Sequence, residues 1–130
     1  MANLKAALTL TGTQTDLGGT LTLSVSNTLG ITSPMIGISK MTAPVTDGDA
    51  VEIKPTGDDN QYTYIKHTGY QTDGTTVTTN QLSVQFGAVD TIRIEPGEFA
   101  FFPCKSDVVV KVISSSTETI QVEYAYWTAS

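Results

Sequence analysis

Thr20-Leu21-Thr22-Leu23-Ser24-Val25 places an apolar side chain at every second position and a hydroxyl at each position between. Successive side chains of an extended strand point to opposite faces, whereas a helix brings together residues three and four apart. This rhythm therefore specifies a strand with one wet and one dry face. The same alternation runs through Leu8-Thr9-Leu10-Thr11 upstream, and Asp16-Leu17-Gly18-Gly19 between the two has the composition of a turn. The pair reads as a hairpin.

Downstream, the rhythm repeats in short bursts. Ile36 and Ile38 follow Pro34, and Val51 and Ile53 flank Glu52 after the Asp47-Gly48 turn signal. Tyr62, Tyr64 and Lys66 share one face of a further strand, and Asp73-Gly74 before Val77 predicts a second hairpin. Leu82, Val84 and Phe86 alternate with Ser83 and Gln85, Ile92 and Ile94 flank Arg93, and Pro96-Gly97 is a type II turn signal. The last third is the most apolar: Phe99-Ala100-Phe101-Phe102, then Val108 to Ile113, then Ile120, Val122, Tyr124 and Tyr126 on one face with Trp127 on the other. Strands apolar on both sides are expected at the centres of sheets. Eight or nine short strands separated by turn residues predict an all-β fold, a two-sheet antiparallel sandwich of jelly-roll type. No repeat or linker divides the chain, so residues 1–130 are read as one domain with residues 1–7 as a candidate N-terminal arm.

Composition agrees. Apolar residues make up 39 % of 130 residues and charged residues only 15 %, outside the signature of disorder. The 22 threonines and 11 glycines suit the solvent side of pleated sheets and the turns between strands. A net charge of −6 disfavours nucleic-acid backbones and anionic membrane surfaces as partners. No run approaches the ~20 apolar residues of a membrane-spanning helix.

Candidate chemistry is sparse. Cys104 is the sole cysteine and is expected as a buried small thiol. His67, the sole histidine, is expected on the surface or an edge strand without a catalytic role. Glu95, Glu98, Glu118 and Glu123 have no spacing that pairs them as acid and base. Asp47-Gly48-Asp49 and Asp58-Asp59-Asn60 are oxygen-rich, yet Asp and Asn also favour turns by bonding their own backbone, so no metal is assigned. The chain is expected to be non-enzymatic and without a cofactor. Tyr62, Tyr64 and Tyr70 near turns form a candidate glycan platform, the basis of an alternative reading as a carbohydrate- or receptor-binding module.

The segment Ile92-Arg93-Ile94-Glu95-Pro96-Gly97-Glu98-Phe99-Ala100-Phe101-Phe102-Pro103, a valine-rich strand, and the closing Ile120-Gln121-Val122-Glu123-Tyr124-Ala125-Tyr126-Trp127 resemble small virion proteins of tailed bacteriophages. In that family a strand enters a Pro-Gly-Glu or Pro-Gly-Gly turn, an apolar strand follows, and a Val-Glu-Tyr strand closes the chain. Here these are Pro96-Gly97-Glu98 and Val122-Glu123-Tyr124. The resemblance implies a structural part of the particle, foremost a capsid cement or decoration protein, assembled in the bacterial cytoplasm and resident in the virion. Its implied partners are the major capsid protein and copies of itself, with a trimer favoured. Leu4, Lys5, Tyr124, Tyr126 and Trp127 are the candidate interface residues.

Overall fold

Alternation becomes strand almost throughout. The structure is a computed structural model that describes residues 2–14, 19–34, 38–46, 48–56 and 61–129; among these are ten strands and no helix. The strands are β1 (Ala2–Gln14), β2 (Gly19–Pro34), β3 (Ser39–Ala43), β4 (Val51–Lys54), β5 (Gln61–His67), β6 (Leu82–Phe86), β7 (Val89–Ile94), β8 (Phe99–Cys104), β9 (Val110–Ser114) and β10 (Ile120–Ala129). All ladders are antiparallel, and they form a two-sheet β-sandwich.

The pairing from β3 onward is nested. β3 pairs β10, β4 pairs β9, β5 pairs β8 and β6 pairs β7, as in one long hairpin folded at its middle. Rolling that hairpin adds the β5–β10 and β6–β9 ladders, which produces the rows β3-β10-β5-β8 and β4-β9-β6-β7. β1 and β2 lie outside this nest as a ribbon, joined to the larger sheet, among the described residues, where Ile31, Ser33 and Pro34 pair Ala129, Thr128 and Trp127. The N-terminal segment 1–7, expected as an arm, falls largely within β1.

The dry interior is filled by the inward rows. Ile53, Ile65, Leu82, Val84, Ile94, Val110, Val112, Ile120 and Val122 are buried, with Phe102 and Tyr124 packed against them. Each such aliphatic side chain contributes roughly 1.5–3 kcal/mol by leaving water. Cys104 lies in this core, as expected for a small thiol. A bulge in β4 opposite Lys111 and Val110 lets two consecutive residues, Ile53 and Lys54, turn inward. The buried Lys54 ammonium donates to the carbonyls of Val108 (2.6 Å) and Lys105 (3.1 Å), and burial pushes its pKa down.

Several expectations are corrected. The described residues form ten strands rather than eight or nine, and β1 and β2, at 13 and 16 residues, are not short. The Asp73-Gly74 turn exists, but it supports only a Tyr70–Val77 bridge; β5 and β6, on either side, belong to different sheets. The Pro96-Gly97 turn is present, with Gly97 at φ 87° and the Glu98 amide donating to Glu95 O at 2.9 Å. It carries the chain from one sheet to the other. β8, apolar on both faces and expected at a centre, is an edge strand among the described residues. His67, expected at the surface, has no exposed area: its Nε2 donates to Asn80 O (2.8 Å) and its Nδ1 accepts from the Gly69 amide (3.0 Å). The ring fastens the 68–81 connection to the end of β5.

Candidate functional site

Register determines which side chains face away from the core on β5, β8 and β10. Tyr62 stands opposite both Pro103 and Trp127, Tyr64 opposite Phe101 and Ala125, and Lys66 opposite Phe99 and Glu123. Directly paired residues share a face, so these side chains form one outer surface, with Thr63, Ile65 and His67 on the inner one. The Tyr62 and Phe101 rings stack at 6.3 Å and 10°, and Phe101 meets Trp127 at 6.5 Å. Phe99 at the end of the row is 61 % exposed. Partial burial, and then the Glu123 carboxylate, raise the Tyr64 pKa, so that hydroxyl stays protonated and available as a donor.

The ribbon contributes the second surface. Leu4 pairs Leu29, Ala6 pairs Asn27, Leu8 pairs Val25 and Leu10 pairs Leu23, which gathers the apolar residues on one side. Lys5, Ala7, Thr9 and Thr11 pair Thr28, Ser26, Ser24 and Thr22 on the other. Leu10 and Val25 remain 46 % and 54 % exposed, so this face is wet although its composition is that of a core. Leu4, Leu8, Leu10 and Val25 wall one side of an open cleft of about 940 Å³, and Tyr64, Phe99, Phe101 and Trp127 wall the other.

Of the residues singled out from sequence, Leu4, Lys5, Tyr64 and Trp127 come together at this cleft. Tyr124 and Tyr126 lie on the opposite, inward row of β10, Tyr124 packed on the core and Tyr126 paired with Thr63. Tyr62 and Tyr64 share the outer face. Tyr70 does not: its carbonyl accepts from the Gln121 amide, six residues along β10 from the Trp127 that pairs with Tyr62, or about 20 Å at strand rise. The loops read for oxygen ligands fall largely outside the described residues, which omit Asp47, Asp58, Asp59 and Asn60; Asp49 is exposed.

Phe99, Phe101, Leu8, Leu10, Leu23 and Val25 are legible in the sequence as strand residues but not as residues of a site. One signal was available for the phenylalanines: Pro103 closes their run, and proline in a sheet belongs on an edge. The assembled surface offers flat rings and aliphatic area with a tyrosine hydroxyl, a lysine and a glutamate at its margin, groups suited to contact with a partner. No protein-family model matches the chain, and no curated protein matches it significantly.

Proposed function

We propose that this chain is a non-enzymatic structural protein of a tailed-bacteriophage particle, an oligomeric capsid cement or decoration protein that binds the major capsid protein and stabilises the shell. The observation that carries the reading is an exposed apolar ribbon face and a partly exposed aromatic sheet face, set on either side of one cleft. Contiguous exposed apolar area of this kind marks an assembly surface. The rows β3-β10-β5-β8 and β4-β9-β6-β7 support a jelly-roll arrangement, an architecture of viral capsid and lectin domains. A fold of this kind hosts many functions, so placement in a particle rests on the resemblance around Pro96-Gly97-Glu98 and Val122-Glu123-Tyr124. A net charge of −6 favours a basic protein surface over nucleic acid or an anionic membrane as partner.

Light scattering on the purified chain and tag-directed negative-stain imaging of purified particles test this together. A defined oligomer, a trimer foremost, decorating the shell is expected. A strict monomer absent from particles refutes the reading.

The row of Tyr62, Phe101 and Trp127, with Phe101 exposed and the other two half-buried, favours a second reading, a carbohydrate- or receptor-binding module, because flat aromatic faces stack on sugar rings. A glycan array with hits that are lost in Tyr64→Ala supports it; an array without hits removes it.

A further inference from the structure

We infer that the β1–β2 ribbon is an exchanged arm whose apolar face seats on the outer β5–β8–β10 face of a second copy of this chain. The inference rests on the oligomeric part of the reading above and is independent of where the oligomer resides.

Several features of the ribbon converge on this occupant. A two-stranded ribbon is marginally stable in water unless its apolar face is covered, and here that face carries Leu8, Leu10, Leu23 and Val25, each 40 % exposed or more. The nested eight strands have their own filled core, so the ribbon is not needed to close it. Among the described residues β1 is an unpaired edge of 13 residues without proline, guarded by a single charge, Lys5.

Charge separates the arm from the body. Lys5 and Asp16 are the only charged residues from 1 to 34, whereas the remaining 12 acidic and 6 basic residues lie beyond. Two acidic bodies repel, but a neutral arm reaches a like copy without that cost. The receiving surface is on the page as well. Phe99 and Phe101 face the ribbon of their own chain across an open cleft and remain exposed, so they can serve a neighbour.

Area decides whether such an exchange suffices. Twelve paired positions, Asn3 to Gln14 with Gly19 to Gly30, lie beyond the junction with β10. At strand rise and spacing they present a face about 40 Å by 10 Å, about 400 Å². The receiving strands, six or seven paired residues long and three across, offer about 20 Å by 14 Å, about 300 Å². Each exchanged arm therefore buries about 600 Å² counting the surface covered, and a reciprocal pair about 1,200 Å², the lower end of a stable specific interface.

The test is the double substitution Leu10→Asp and Leu23→Asp, both at exposed ribbon positions outside the core. Light scattering is expected to show the oligomer falling to the 13.8 kDa monomer, while far-ultraviolet dichroism keeps its sheet spectrum. An oligomer of unchanged mass overturns the inference. In a Cys104→Ala background, Leu8→Cys and Phe99→Cys chains bearing different tags are refolded together and oxidised. A disulfide between the two tags is expected; its absence, with a disulfide forming instead within a control chain that carries both substitutions, overturns the inference. A ribbon-dependent oligomer missing from particles refutes the virion reading alone, and a particle-bound oligomer indifferent to the aspartates refutes the arm alone.

Discussion

Thr63 sits on the inner row of β5 with no exposed area, and its hydroxyl oxygen has no hydrogen-bond partner among the described residues. Burying a hydroxyl without a partner costs about 1–3 kcal/mol on mutational scales. Thr63→Val keeps the branched shape that suits a strand, removes that cost, and places a methyl where the oxygen was, worth up to ~0.8 kcal/mol more. The valine variant should therefore be more stable by about 1–3 kcal/mol. A chain of 130 residues has an unfolding entropy of about 0.27 kcal/mol/K, so each kcal/mol raises Tm by about 4 °C, for a total rise of about 4–11 °C. Thermal and urea unfolding followed by far-ultraviolet dichroism measure this, with Thr63→Ser as the converse: it keeps the oxygen, loses the methyl and should fall by about 1 kcal/mol. A valine variant less stable than the parent, at unchanged urea m value, would refute the reasoning by showing that the oxygen is bonded, for example to a buried water.

Other perturbations separate structural from surface roles. Leu82→Ala, in the core, should cost about 2–5 kcal/mol, while Phe99→Thr, at an exposed edge, should change monomer stability by less than ~0.5 kcal/mol; urea titration of both checks the contrast. His67→Ala removes a buried ring and two hydrogen bonds and should cost about 3 kcal/mol, with amide exchange accelerating first in residues 68–81; a cost below ~1 kcal/mol would refute the fastening role. Asp73 accepts from the Thr75 and Thr76 amides and the Thr76 hydroxyl, and these bonds, the Thr76 hydroxyl foremost, hold its carboxyl near 2 against an ordinary 3.8. Its contribution is present above pH ~4 and is lost as pH falls through ~2, so a carbon-detected carboxyl titration should show that midpoint, and Asp73→Asn should flatten the acid side of the stability profile.

Local rhythm made the sandwich legible, because a strand's two-residue period is written in its own side chains. The pairing order was not, since ladders such as β3–β10 join residues far apart in sequence through turns that carry no address. That is why Phe99-Ala100-Phe101-Phe102 predicts a central strand from its two apolar faces yet lies at an edge, and why Leu23 and Val25, whose alternation points to a buried face, stand in solvent. His67 escaped for a different reason: its burial depends on acquiring Asn80 O and the Gly69 amide as partners, which only the folded connection supplies. Tyr62 and Tyr64 were legible as a shared face, and Trp127 as lying opposite Tyr124 and Tyr126. Joining the first three on one surface required the β5–β10 register.

β10 bonds β2, β3 and β5, yet it follows all of them in the chain. Roughly 80 residues separate the end of β3 from the start of β10. At about 5–20 residues per second of synthesis, the growing chain waits about 4–16 s before the keystone of its larger sheet arrives. Until then β2 and β3, joined by β5 once it is made, hold open edges, and the ribbon has no anchor. Proteolytic loss of the stretch beginning at Ile120 would return the molecule to the same unfinished state, taking from the larger sheet the single neighbour that three of its strands hold in common.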